Sequence, residues 1–193
     1  MIERVEKQLT IRTADISFLI DRMLQQFSSE KNFMASADTS KIGIFGHSFG
    51  GCTSVMSAYS DNRIDAVFGL DAYFLPLSKN IMNKDLNKPF AHLGQPSWGK
   101  SNNYAVMETL AKKNSKLSTH FAVEGSKHYD FTDFSQFTRL TKKFGSGKVS
   151  PKNIRIIMNT LLLDFFNSSL KGDKKFEPQT YEQIFSELTH YIY

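Results

Sequence analysis

A serine flanked by glycines, Gly46-x-Ser48-x-Gly50, is the pattern with the most chemical content in this 193-residue sequence. Before it, Lys41-Ile42-Gly43-Ile44-Phe45 is a short β-rich apolar run. After it, Cys52-Thr53-Ser54-Val55-Met56-Ser57-Ala58 suits a helix of small residues. A serine on a sharp turn between a buried strand and a helix is a nucleophile elbow. Such a turn is crowded and strained, so Gly46 and Gly50 are expected there because they carry no Cβ. The helix N-terminus directs backbone N–H groups toward developing negative charge, and the N–H of Phe49 is the expected first oxyanion donor. The bland alternative is a Gly-rich strand–helix turn that binds a phosphate, or nothing.

A serine hydroxyl needs a base to take its proton, and the base needs a carboxylate to hold its tautomer. With an elbow of this kind the chain order is Ser, then Asp or Glu, then His. Five histidines compete. His47 is a pocket neighbour of the serine. His92 and His120 lie inside strand-like runs, where a hydrogen-bonded core histidine is the commoner outcome, and His190 lies in the tail. His128 alone follows a strand through a Gly-Ser loop, at the end of the sheet where such sites assemble. Among the carboxylates, Asp61 and Asp65 flank a surface turn and Asp85 sits in a polar Lys/Asn segment. Gly94-Gln95-Pro96-Ser97-Trp98-Gly99 contains none. Asp71, at the end of the strand after the elbow helix, is the remaining choice; the alternative for it is an Asp that caps a turn.

Those residues need a sheet to hold them. Residues 13–27 read as an amphipathic helix through Ile16, Leu19, Ile20, Met23, Leu24 and Phe27, with Thr13 as N-cap. Residues 28–40 are a polar connection. The strand at 41–46 leads into the elbow helix, which runs to about Tyr59. Strands follow at 66–70, 89–94 and 118–123, a helix at 102–113, and a last long helix at about 152–170 that Gly172 ends. The segment 72–77 is unusually apolar for a loop, as a pocket wall would be. The tail after Asp173 reads as a packed peripheral helix. Strands alternating with helices imply one α/β domain over 1–193, a mostly parallel sheet with helices on both faces.

Composition removes other function classes. The net charge of +5 is spread along the chain, with only Lys112-Lys113, Lys142-Lys143 and Lys174-Lys175 as basic doublets. Without a basic stripe interleaved with aromatics, no nucleic-acid partner is expected, though weak attraction to an anionic lipid surface is compatible. No stretch reaches the apolar length of a membrane span, and Ile2-Glu3-Arg4-Val5-Glu6-Lys7 is not a signal peptide. A cytoplasmic location is the default, a secreted one if a longer N-terminus carries a signal. The single cysteine gives no intrachain disulfide or metal cluster, so Cys52 is read as a small buried apolar residue. No cofactor or metal is expected.

Four segments together resemble the platelet-activating factor acetylhydrolase family, the plasma-type lipoprotein-associated phospholipase A2 and its bacterial relatives, over about residues 12–170. They are Gly46-His47-Ser48-Phe49-Gly50-Gly51, Leu70-Asp71-Ala72-Tyr73-Phe74-Leu75-Pro76-Leu77 and His128-Tyr129-Asp130-Phe131-Thr132-Asp133-Phe134, with Arg12-Thr13-Ala14-Asp15-Ile16 and Phe18-Leu19-Ile20-Asp21 ahead of them. The resemblance implies an α/β-hydrolase fold and a calcium-independent serine esterase that removes short or oxidised sn-2 acyl groups from phospholipids. It implies Ser48 as nucleophile, Asp71 as acid and His128 as base. His47, Tyr73, Phe74 and Leu75 are expected to line the substrate pocket, and Tyr73 stands where the family commonly has Trp. The family's first half, with several strands and the His-Gly loop that gives the second oxyanion donor, has no counterpart; residues 1–42 contain no glycine. The sequence therefore resembles the C-terminal part of such an enzyme. Three readings follow: an esterase of phospholipids, an esterase of non-lipid substrates, or a catalytically impaired remnant that serves as a binding module. The elbow strand is expected to lack one neighbour and to expose an apolar edge.

Overall fold

The first helix is longer than its periodicity suggests. In the computed structural model, which describes residues 2–29, 36–99, 101–137, 141 and 145–193, α1 spans Ile2–Ser29. Thr13 is therefore no N-cap. It is buried inside the helix, and its hydroxyl donates to the Leu9 carbonyl at 2.8 Å. The buried stripe is Leu9, Thr13 and Ile20, with Ile16 and Leu24 packed beside it. Leu19 and Met23, expected on that stripe, are exposed. Among the described side chains before Thr13 only Leu9 belongs to the buried stripe, so the polar first turns hide the true start. The Phe27 side chain, residues 30–35 of the expected polar connection and the Lys142-Lys143 doublet lie outside the described residues.

β1 (Ile42–His47) enters α2 (Phe49–Ser60), and β2 (Ile64–Leu70) follows. A one-turn α3 (Lys79–Met82) precedes β3 (Phe90–Gly94), α4 (Asn103–Lys113) and β4 (Ser118–Val123). A 3-10 turn at His128–Phe131 and a one-turn α5 (Phe134–Phe137) come before α6 (Pro151–Phe166). Residues Asn167–Lys171 extend α6 as a π turn, and Gly172 ends it in the left-handed conformation with φ 69°. Proline at the first position of α6 costs no hydrogen bond there.

The sheet has the order β1-β2-β3-β4-β5. Its first four strands are parallel, so their carboxyl ends share one edge. Alternating residues of the inner strands feed two apolar layers. Ala66, Phe68 and Leu70 of β2 pack with Ile154, Ile157, Leu161 and Phe165 of α6. Val67 faces the other way, with Leu9 and Ile20 of α1, Cys52 and Val55 of α2 and Leu110 of α4. Cys52 is fully buried, and burial pushes its thiol up to about 12. Arg63 ties α1 to the turn before β2, donating to Asp21 at 2.5 Å and to Asp61 at 2.6 Å.

The tail is not a helix. A single turn, α7 (Tyr181–Ile184), leads to β5 (Leu188–Tyr191), which pairs antiparallel with β4. The apolar residues that read as a helix face are split: Phe176, Tyr181 and Leu188 enter the α6-side core, while Ile184 and Ile192 stay exposed. At the other end β1 pairs only with β2 among the described residues, and Phe45 is 57% exposed. That edge was the expectation from the sequence.

Candidate active site

Ser48 stands between the last residue of β1 and the first of α2, with φ 56° and ψ −122°. A non-glycine residue holds such a conformation only where its surroundings over-determine it. They do here. The Ser48 N–H donates to the Leu70 carbonyl at 3.0 Å, and the Ser48 carbonyl accepts from Tyr73 at 2.9 Å, so the end of β2 clamps the elbow. Tight packing explains two glycines. A Cβ on Gly46 would lie 2.5 Å from the Gly50 carbonyl, and one on Gly51 would lie 2.4 Å from the Ala72 Cβ. Gly50 is different. Nothing lies within 4 Å of where its Cβ would be, so crowding does not require glycine there, contrary to the motif-based expectation. It borders a cavity of about 330 Å³ shared with Arg12, Asp15 and Ile16 of α1.

His128 follows β4 on the 3-10 turn. Its Nε2 lies 3.0 Å from the Ser48 Oγ, and its Nδ1 lies 2.6 Å from the Asp71 Oδ2. Asp71 directly follows β2, is fully buried and has φ 39°. Three loops at the carboxyl ends of β1, β2 and β4 thus bring together one hydroxyl, one imidazole and one carboxylate in hydrogen-bonding line. Such a line can pass a proton from Oγ to Nε2 while the carboxylate fixes Nδ1–H.

The loop after β3, which carries no carboxylate, serves the carboxylate of its neighbour. Asp71 accepts from the Gln95 N–H at 3.1 Å and side chain at 2.9 Å and from the Trp98 indole N–H at 3.0 Å, while the Tyr104 hydroxyl shares its one proton between Asp71 Oδ1 at 3.1 Å and the Gln95 carbonyl at 2.5 Å. Burial alone would raise the Asp71 carboxyl; the bond from His128, then the charge of the His92 imidazole, then the bonds from Gln95 and Trp98 bring it below its ordinary value instead. Gln95, Trp98 and Tyr104 escaped the sequence reading, although the chain's single tryptophan in a loop beside the expected acid was a usable signal.

The other expected site residues divide. His47 is half-buried, its Nε2 lies 3.0 Å from the His128 carbonyl oxygen, and its ring centroid lies 4.5 Å from that of His128. Burial, followed by the neighbouring imidazole, lowers the His47 pKa, so the neutral ring donates Nε2–H to that carbonyl. Tyr73 stacks on Trp98, with centroids 5.7 Å apart and planes 16° apart. Phe74 is no pocket wall. It is fully buried against Phe90 and His92, because its N–H is held by the Asn103 side chain at 2.6 Å and turns the ring into the core. Leu75, one residue on, is 40% exposed. His92 and His120 are core residues as expected; the His92 Nε2 accepts from the Ala72 N–H at 3.0 Å, and burial lowers that imidazole to about 4. His190 lies on β5. No group of three or more His, Cys, Asp or Glu among the described residues could hold a metal ion, and no helix among them is long and apolar enough to cross a membrane.

The profile of the family described as "Platelet-activating factor acetylhydrolase, isoform II" matches residues 10–185. The chain belongs to that family. Its acetylhydrolase relatives include the chicken enzyme, 29% identical over 147 residues, and the guinea-pig enzyme, 28% identical over 145. Each alignment takes in 74% of this chain but only 34% and 33% of those proteins, so the chain spans about a third of the length of the curated relatives it matches. The fold is that of α/β-hydrolases. A ferulic acid esterase from Streptomyces cinnamoneus superposes with a TM-score of 0.72 at 22% identity, covering 96% of this chain and 55% of the esterase.

Proposed function

We propose that this acetylhydrolase-family chain carries a Ser48–His128–Asp71 triad for carboxylic-ester hydrolysis, directed at short or oxidised sn-2 acyl groups of phospholipids. The observation that carries the reading is the Oγ–Nε2 distance of 3.0 Å continued by the Nδ1–Oδ2 distance of 2.6 Å. Ser48 Oγ bonds to the ester carbonyl carbon as its proton passes to His128 Nε2, while Asp71 holds the tautomer and offsets the imidazolium. Collapse breaks the bond to the alcohol oxygen, which takes the proton from Nε2. Water then attacks the acyl-serine, gives its proton to Nε2, and releases the acid as Ser48 recovers its own. The Phe49 N–H is the assigned oxyanion donor, being the first of α2 and without a carbonyl four residues earlier inside the helix. The phospholipid part of the reading comes from the relatives' name.

Fluorophosphonate labelling tests it. A folded chain that labels, with labelling abolished in Ser48→Ala, supports the esterase. Absence of labelling favours a second reading, a catalytically impaired module that binds rather than cleaves. That second reading is motivated by the unpaired outer side of β1 and by a single assignable oxyanion donor, since loss of one donor costs on the order of 2.7–4 kcal/mol in the transition state.

A further inference from the structure

Trp98 contacts Asp71, His128 and Tyr73. Its indole N–H donates to Asp71 Oδ1 at 3.0 Å. Its ring stands edge-on to His128, with centroids 5.1 Å apart and planes at 75°. It also stacks at 5.7 Å on Tyr73, whose N–H holds the Ser48 carbonyl.

The carboxylate it serves is unusual in what surrounds it. Asp71 is fully buried, and no lysine or arginine is among its hydrogen-bond or charge partners. On Oδ2 it takes His128 and the Gln95 side chain. On Oδ1 it takes the Gln95 N–H, Trp98 and Tyr104. The other titratable groups around it are neutral: His92 because burial lowers it, and Tyr104 because burial and the Asp71 charge raise its hydroxyl far above its ordinary value. His128 for its part faces His47, Tyr129 and Ser48. At pH 7, where His92 is neutral, the hydrogen bonds from His128, Gln95 and Trp98 therefore carry the stabilisation of this anion. The more negative charge they absorb on Oδ1, the less the carboxylate pulls on the imidazolium through Oδ2.

We infer that Trp98 is a positioning residue of the triad, which meters the charge of Asp71 through its N–H and fixes the His128 ring and the Tyr73 wall through its face. The inference rests on the triad reading above. It makes two separable demands of one side chain, and substitution can part them. In Trp98→Phe a ring remains but the N–H is lost. The acid limb of the pH–rate profile should then move up by about half a pH unit as more charge is left to the imidazolium, while kcat should fall about tenfold because Asp71 is no longer held in line by that bond, with KM little changed. In Trp98→Ala the wall goes as well, and KM for the ester should rise in addition.

Because Trp98 is the only tryptophan, growth on benzothienylalanine replaces that one N–H by sulfur at nearly constant shape, should Trp98→Phe fail to fold. Tyr104→Phe is the companion variant. It removes the proton that Tyr104 shares between the same Oδ1 and the Gln95 carbonyl while leaving the Trp98 ring in place, and should move the acid limb in the same direction by less. In that variant the quenching of Trp98 fluorescence by the protonated His128 reports the imidazole midpoint without any turnover, by comparison with the parent chain. An upward shift in that midpoint supports the inference even if the parent chain proves inactive, which separates its fate from that of the esterase reading. Parent kcat and an unmoved acid limb in the N–H-deleted proteins, or an unmoved fluorescence midpoint in Tyr104→Phe, would overturn it.

Discussion

Asp71→Asn tests the site most severely, because the replacement keeps the shape and changes only which atoms donate. The carboxylate receives two hydrogen bonds on each oxygen, and on Oδ1 a share of the Tyr104 proton. An amide has one oxygen. Set toward Gln95 N, Trp98 and Tyr104, that oxygen leaves an NH2 group facing Nδ1–H of His128 and the Gln95 side chain. Gln95 can turn over its amide, but the imidazole must move its proton to Nε2. It then donates to Ser48 Oγ where it should accept. A wrong tautomer in a triad of this type costs about 10⁴ in kcat. Bonds to a charged acceptor contribute about 1.5–3 kcal/mol and neutral ones about 0.5–1.5, so three weakened donors, offset by relief of a buried charge, leave a net loss of roughly 1–3 kcal/mol. For a chain of 193 residues that lowers Tm by roughly 3–10 °C.

A pH arm adds an independent check. The folded carboxyl titrates below its ordinary 3.8. Its stabilisation is therefore complete above the unfolded value and is lost as pH falls through the folded one. The parent should lose stability along that arm, and Asp71→Asn should lack this part of the slope. Hydrolysis of p-nitrophenyl acetate and calorimetry between pH 3 and 7 read both effects. A variant within a hundredfold of the parent kcat, melting on the same acid arm, refutes the reasoning.

Three further outcomes are expected. His47→Phe keeps a ring beside His128 but deletes the N–H that holds its carbonyl, so kcat should fall about tenfold while Tm changes little. Gly51→Ala drives a methyl into Ala72 and should destabilise by about 2–3 kcal/mol, whereas Gly50→Ala, with open space and a helical position, should be neutral or raise stability by up to about 1 kcal/mol in urea titrations. Phe45→Lys places a charge on the open sheet edge and should suppress concentration-dependent association in sedimentation velocity; unchanged association would locate the contact elsewhere.

Much of this architecture was legible because parallel strands buried on both faces leave continuous apolar runs. Val67-Phe68-Gly69-Leu70 and Phe121-Ala122-Val123 announce themselves without tertiary information. The nucleophile, acid and base could be nominated because chain order and strand ends restrict the choice. What failed was whatever depends on direction rather than residue type. Phe74 and Leu75 are neighbours in an apolar loop, and only the Asn103 side chain decides which one enters the core. The tail's apolar spacing suits a helix as well as a turn and strand; pairing with β4 decides it. The donors on Asp71 were invisible for a similar reason: a search for carboxylates passes over Gln95 and Trp98, residues that matter only for what they donate.

The two ends of the sheet have unequal capacity to grow. On β5 the His190 N–H is already taken by the Glu182 carboxylate at 2.7 Å, so that four-residue rim is blunted. Among the described residues β1 has no such guard, and it is flanked by exposed Phe45 and Leu163. A molecule with one adhesive rim can satisfy it by meeting a copy of itself about a two-fold axis, and it then has nothing left to offer a third. Self-association of these 193 residues on their own through this rim is accordingly expected to be a closed event that saturates at dimers, distinguishable in sedimentation from the open-ended polymers that two matching rims would build.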